Sequence, residues 1–311
     1  MDAAYDLACL GEPLLELNRR PGDEGASLYL EAHGGDASNV AIAAARQGAR
    51  TAFLSAVGDD LAGRSFLQLW AHEGVDASAA QVDPERPTGL YFVSHDAQGH
   101  HFTYLRKGSA ASAYRLDEAA REAIRRAKIA FASGISLAIS AQAADAVFEA
   151  MALAGTSGRR VAFDTNYRAG LWPPARAAAL VRQAMSLSNI AFPGLEDMQA
   201  LFGLSDPEEI VRFCLSLGPE AVALKMGSEG ALLAMGEQRI VMPPFPARPV
   251  DATGAGDTFC GAFLARFAEG ASLQKAGRYA ACAAALATQG FGAVPPIPRR
   301  ETVEAALAGA R

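Results

Sequence analysis

Asp251-Ala252-Thr253-Gly254-Ala255-Gly256-Asp257-Thr258-Phe259 runs without a break into the apolar Cys260-Gly261-Ala262-Phe263-Leu264-Ala265-Arg266-Phe267. The second half reads as a buried helix, and the small residues before it read as the turn that opens that helix. Small side chains let backbone N–H groups approach an anion closely, and the helix dipole adds partial positive charge at the same end. The turn is therefore a place for phosphate. Asp257 falls within the first helical turn, where its carboxylate can take the proton of a hydroxyl brought up beside that phosphate. An ordinary glycine-rich turn, with an Asp stabilising the helix N-terminus, would read the same in isolation.

Working outward, short β-branched or aromatic runs alternate with longer Ala-rich segments of helical period from about residue 51 onward. Strands are expected at Thr51 to Val57, Ile129 to Ser133, Arg160 to Asp164, Asn189 to Phe192 and Glu220 to Leu224. Helices are expected near 63–73, 117–127, 141–153, 174–187 and 206–217, several opened by Asp, Ser or Pro. This alternation predicts a doubly wound α/β fold, a mostly parallel sheet with helices on both faces. Two stretches break the rhythm, about 12–35 and 88–112, and read as a small β-sheet lid inserted in one domain spanning 1–311. In the second, Gly89-Leu90-Tyr91-Phe92-Val93 and His101 to Lys107 flank an Asp96-Ala97-Gln98-Gly99 turn, which predicts a hairpin. Strand alternation then puts Phe102, Tyr104 and Arg106 on one face, suited to a pocket wall or a dimer contact, and leaves Lys107 solvated on the other.

Composition narrows the function. Of 311 residues, 28 are Lys or Arg scattered among 34 Asp or Glu, a net charge of -6 with no basic run that could follow a phosphate backbone, so nucleic acid is not expected as a partner. Met1 to Leu10 carry two Asp and no Lys or Arg, and no apolar stretch approaches the ~18 residues a bilayer span needs. A cytoplasmic address with no membrane contact is the expectation. Cys9, Cys214, Cys260 and Cys282 are too scattered for a zinc site or a disulfide framework and read as buried thiols. His100-His101 lacks a third ligand at sensible spacing and reads as surface.

Asp-x-x-Gly-Ala-Gly-Asp at 251–257 resembles the C-terminal signature of the ribokinase (PfkB) family of carbohydrate kinases. Gly34-Gly35-Asp36-Ala37-Ser38-Asn39-Val40-Ala41, followed by Val57-Gly58-Asp59-Asp60 and Gly63, resembles its N-terminal pattern. The resemblance implies a ribokinase-like fold in which Gly254, Ala255 and Gly256 form an anion hole for the transferred phosphoryl group and Asp257 is the catalytic base. It also implies ATP and Mg²⁺. Lys225-Met226-Gly227-Ser228-Glu229-Gly230 resembles the segment lying against the nucleotide, so Lys225, Gly227, Ser228, Glu229 and Gly230 are candidate cofactor contacts, with Asn166, Gly254 and Gly256. Read alone, 225–230 is a turn better suited to a hairpin. The family's Asn-x-x-Glu, which organises magnesium through water, is replaced by Gly194-Leu195-Glu196-Asp197. Asp251 and the Thr253 carbonyl are the candidate potassium site of some relatives.

At the other end of the site, Gly34, Gly35 and Asn39 match positions that approach the sugar. Gly89-Leu90-Tyr91, Tyr104 to Ala110 and Asp164-Thr165-Asn166-Tyr167-Arg168 together resemble 2-keto-3-deoxygluconate kinases. That branch implies Tyr91, Tyr104, Arg106 and Arg168 as residues holding an acid sugar, because a desolvated carboxylate calls for a bidentate cationic partner. Either arginine could instead serve a structural ion pair. The expected reaction is transfer of the γ-phosphoryl of ATP to the terminal hydroxyl of 2-keto-3-deoxygluconate, with a homodimer or higher homo-oligomer formed through the lid. The alternatives are the same chemistry on a neutral sugar such as fructose, and a non-catalytic sugar-binding protein. A dinucleotide enzyme is disfavoured, as no Gly-x-Gly-x-x-Gly follows the first predicted strand.

Overall fold

The computed structural model describes residues 3–21, 27–96 and 99–310. In chain order the strands begin with β1 (Tyr5–Leu10), β2 (Leu14–Pro21), β3 (Ser27–Gly34), β4 (Thr51–Leu54) and β5 (Ala56–Gly58). They continue with β6 (Val75–Asp76), β7 (Gln81–Asp83), β8 (Leu90–Asp96), β9 (Gly99–Leu105) and β10 (Ala127–Ser133). The last are β11 (Arg160–Asp164), β12 (Ile190–Phe192), β13 (Ala221–Lys225), β14 (Ala231–Met235) and β15 (Gln238–Met242). The main sheet has the order β15-β14-β13-β12-β11-β10-β1-β4-β6. It is parallel from β13 to β6, and β14 and β15 add an antiparallel edge.

Alternation along these strands makes two cores. Leu7, Cys9, Ile129, Phe131, Ala162 and Phe192 point to one face, and Ala8, Leu10, Ala130, Ala132, Phe163 and Ala191 to the other. A sheet buried on both sides must be covered by helices on both sides, as parallel sheets require. The first face takes α1 (Asp36–Arg46) and α2 (Leu61–His72). The second takes α3 (Glu118–Arg125), the short α4 (Gly134–Ala138), α5 (Ala141–Thr156), α6 (Pro174–Ser186), α7 (Leu195–Phe202) and α8 (Pro207–Leu217). The C-terminal helices α9 (Ala255–Ala268), α10 (Leu273–Ala287) and α11 (Arg300–Gly309) return to the first face. The ribokinase-like α/β architecture expected from the sequence is the one observed. Helix starts follow from capping: the side chains of Asp117, Ser140 and Asp206 accept from the amides of Ala120, Ala143 and Glu209 at 2.8–2.9 Å.

The run Thr51 to Val57, read as one strand, is two. Ser55 donates its hydroxyl to the Gly11 carbonyl at 2.6 Å and its own carbonyl accepts from Gln81, so the chain leaves β4 and starts β5, which pairs with β7 in a separate two-stranded sheet. Residues 12–35 and 88–112 contribute β2, β3, β8 and β9, a four-stranded sheet of order β3-β2-β8-β9. The β8–β9 hairpin is antiparallel, and Ala97-Gln98 of its expected turn lie outside the described residues. All four cysteines are buried and unpaired. Among the described residues no helix is long and apolar enough to cross a membrane.

Candidate active site

Chain order in the main sheet runs outward in both directions from the β1–β10 pair, β1 leading to β4 and β10 to β11. Crevices that bind ligands open at the C-terminal ends of strands beside such a switch point. Here a cavity of about 670 Å³ opens there, walled by the four-stranded sheet at one end and by the N-terminus of α9 at the other.

Two helices deliver the central contact. Gly261, one turn into α9, has no side chain because a Cβ there would lie 2.6 Å from the Val40 carbonyl and 2.7 Å from the Ala43 Cβ of α1. One turn back along each helix, this close approach sets Asn39 against Asp257, and Asn39 Nδ2 donates to Asp257 Oδ2 at 2.8 Å. Burial, then the Asp36 carboxylate, push Asp257 up to about 7, with the Asn39 amide pulling it back. Asp36 Oδ2 accepts from Asn166 Nδ2 at 2.9 Å. The remaining side-chain oxygens, Asp36 Oδ1 and Asn39 Oδ1, are buried with no partner among the described residues, although both side chains line the cavity. Buried acceptors of this kind demand a donor.

The α9 turn is built as the sequence suggested. Gly254 caps the helix in the left-handed region at φ 73°, where a side chain would be strained. The Ala255 N–H bonds the Ala252 carbonyl at 3.2 Å, and helix geometry gives the first-turn amides of Gly256 and Asp257 no acceptor of their own. Lys225, at the end of β13, reaches the same place, its Nζ 3.6 Å from where a Gly256 Cβ would stand. It pairs with the buried Asp164 at the end of β11, Nζ to Oδ2 2.6 Å. Burial works against the Lys225 ammonium, but the Asp164 carboxylate outweighs it and raises the lysine above its ordinary range. Burial also raises Asp164, with Lys225 opposing, and the proton stays on the far more basic amine.

Thr165 donates to Asp197 Oδ2 at 2.6 Å and accepts from the Gly194 amide at 3.1 Å. A Cβ at Gly194 would stand 2.9 Å from that carboxylate oxygen. Gly227, Ser228, Glu229 and Gly230 form the exposed or half-exposed turn joining β13 to β14 and do not line the cavity. Thr253 donates through its amide and hydroxyl to Asp251 Oδ1 at 2.9 and 2.6 Å, and Gly292 donates to Asp251 Oδ2 at 2.9 Å. No group of three or more His, Cys, Asp or Glu at metal-binding distance occurs among the described residues.

At the opposite end, the register Tyr91↔Tyr104 and Val93↔Phe102 puts Tyr91, Phe102 and Tyr104 on the cavity face, with the Tyr91 and Tyr104 rings 5.4 Å apart. Tyr91 donates its hydroxyl to Glu16, and its oxygen would stand 2.9 Å from a Cβ at Gly34. Gly35 follows at φ 103°, its missing side chain making room for the Glu12 carbonyl. Arg106 lines the cavity but is paired with the fully buried Glu12, which also accepts from Ser109 Oγ at 2.8 Å. Arg168 lines the cavity as well and is exposed. Its Nη1 donates to the Tyr167 carbonyl at 3.3 Å, and no carboxylate pairs with it among the described residues. His101 is exposed, and the His100 side chain lies outside the described residues. Glu12, Glu16 and Asp164 were not anticipated as site residues. Asp164 was reachable, because it ends a predicted strand at the edge where ligands gather.

The profile of pfkB family carbohydrate kinases matches residues 6–300. A 2-dehydro-3-deoxygluconokinase of Thermoproteus tenax is 36% identical, over 96% of this chain and 93% of its own length. One from Bacillus subtilis (strain 168) is 33% identical, over 94% and 92%. Among solved structures, a fructokinase from Vibrio cholerae O395 in fructose, ADP and calcium ion bound form is 28% identical with a TM-score of 0.86, over 98% of this chain and all of its own.

Proposed function

This chain belongs to the pfkB family of carbohydrate kinases, and from that premise we propose that it transfers the γ-phosphoryl group of ATP to the terminal hydroxyl of 2-keto-3-deoxygluconate. The observation that carries the reading is the Asn39–Asp257 contact flanked by two buried acceptors without partners among the described residues, an arrangement for a hydroxyl-rich ligand beside a base. In this reading Asp257 takes the proton of the attacking hydroxyl. The first-turn amides of Gly256 and Asp257, with the Lys225 ammonium, receive the charge of the transferred group, and Asp164 keeps Lys225 charged and in place. Arg168 holds the sugar carboxylate, and Tyr91 and Tyr104 pack against the carbon chain.

A divalent ion accompanying the nucleotide supplies neutralisation of the triphosphate. Asp197 is the residue present to hold it, through water, since it lines the cavity with one oxygen already fixed by Thr165. The four-stranded sheet acts as the lid, and exposed apolar side chains on it, Tyr29 and Leu105 on its outer face, suit pairing of two copies. A neutral sugar such as fructose is the second reading. It is favoured by the Glu12–Arg106 pair, which leaves one guanidinium rather than two without an acid, and by the likeness to the fructose-bound kinase.

The test is ADP formation from Mg-ATP with 2-keto-3-deoxygluconate, its galactonate epimer, fructose and ribose. Turnover confined to the deoxy-keto acids is expected. Preference for fructose or ribose would keep the phosphate end and discard the acid-sugar end.

A further inference from the structure

The four-stranded sheet joins the α/β core at four places: between β1 and β2, between β3 and α1, ahead of β8, and after β9. One residue meets all of them. Glu12 lies in the first crossing with its side chain fully buried. Its carbonyl occupies the space above Gly35 in the second, and its Oε1 would stand 3.0 Å from a Cβ at Gly89 in the third. In the fourth, the same Oε1 accepts from Ser109 Oγ at 2.8 Å and the carboxylate pairs with Arg106. Arg106 is in turn 89% buried on its side chain, yet lines the cavity.

A buried carboxylate in a loop is not needed to close such a junction. An apolar residue would fill the space without the desolvation cost, and buried ion pairs seldom add net stability over that alternative. What a fixed carboxylate supplies is direction. The Arg106 guanidinium sits at the end of a long side chain with several rotatable bonds, and a guanidinium presents different N–H edges as it rotates. The Ser109 bond fixes the carboxylate, and the carboxylate fixes the guanidinium.

We propose that Glu12 is a positioning residue for the sugar: it holds Arg106 in the one orientation that presents the guanidinium to the substrate, and ties that orientation to the four crossings between sheet and core. Glu12 does not touch the reacting atoms. Its influence on the reaction passes through Arg106.

The inference rests on the reading that Arg106 stands at the sugar end of the cavity, and the experiment separates the two. Glu12→Gln keeps the shape and the Ser109 bond but removes the charge. It is expected to raise the KM for the sugar roughly ten- to hundredfold, since a small misplacement of a binding group costs that much, with kcat and the KM for ATP changed by no more than about twofold. Glu12→Asp, which restores the charge on a shorter arm, should recover part of the loss. In an Arg106→Gln background, Glu12→Gln should add nothing further to the sugar KM, because the group it orients is gone.

Independent, multiplying effects in the double variant overturn the proposal, as does an unchanged sugar KM in Glu12→Gln. Should Glu12→Gln fail to fold, Ser109→Ala tests the same link: a smaller rise in sugar KM that vanishes in the Arg106→Gln background supports it, and a wild-type KM overturns it. The cycle is read on whichever sugar the wild type phosphorylates, or binds by calorimetry, so a changed substrate defeats the acid-sugar reading without touching this one. A wild type that binds no sugar overturns both.

Discussion

In the proposed role Asp257 works under two opposed demands: a base must be ionised to accept a proton, yet Asp257 sits half-buried beside Asp36, where a second negative charge is disfavoured. The compromise is a group pushed up to about 7, a base of useful strength near neutrality. The logarithm of kcat/KM should therefore climb with pH through about 7 and level above it, and a flat profile from pH 5.5 to 8.5 would remove Asp257 from the role of base. Asp257→Asn should fold and lose roughly 10² to 10⁴ in rate. Its stability carries a second signature. Folded Asp257 titrates above its unfolded value of about 3.9, so between the two the folded chain binds more protons than the unfolded one. Wild-type stability then falls as pH rises through that window. The Asn variant carries no such charge, so its Tm should gain on the wild type from pH 4 to pH 8. A difference that stays constant or shrinks would mean that Asp257 is not strained by burial.

At the scale of the element, the site depends on how closely α1 and α9 approach. Gly261→Ala would place a methyl 2.6 Å from the Val40 carbonyl and 3.0 Å from the Ala44 amide, so one helix must move. Overpacking of this kind costs about 1–3 kcal/mol. Chemical denaturation should show that loss, and kcat should fall with it because Asn39 and Asp257 separate. A variant with full stability and full turnover would show that the contact does not depend on this packing. Here the limits of sequence reading are clearest. The α9 turn was legible because its first-turn amides and its Asp are contiguous at 254–257, so local chemistry alone announced them. Gly34, Gly35 and Asn39 stood out as positions that approach the sugar, but that Asn39 lies on a helix and bonds Asp257, 218 residues away, is a property of packing. Thr51 to Val57 was misread for a related reason. Both halves have strand composition, and the break at Ser55 comes from a hydroxyl bonding the carbonyl of Gly11, just past the end of β1.

For the molecule as a whole, what matters is two sheets set around one cavity. The division was visible in the sequence because the βα rhythm lapses at 12–35 and 88–112, and both lapses joined the same four-stranded sheet. The polar contacts that tie the sheet to the core through Glu12 were not visible. Glu12 and Ser109 are 97 residues apart, and a lone Glu in a Gly-Glu-Pro loop has the look of a solvated turn residue. Saturating sugar should draw the small sheet against the core. Hydrogen exchange should then slow in β2, β8 and β9 while α3 and α5, packed on the far face of the main sheet, stay as they were. Uniform slowing across the chain, or none in the small sheet, would speak against a lid.

The meeting of α1 and α9 also sets a timetable. Translation delivers Asn39 early and Asp257 late, 218 residues on, with most of the parallel sheet made between them, so an emerging chain carries α1 without its partner helix for most of its synthesis. Until the ribosome has released α9, a half-made chain lacks the Asn39–Asp257 contact, and with it the base that the proposed reaction needs before ATP can be consumed.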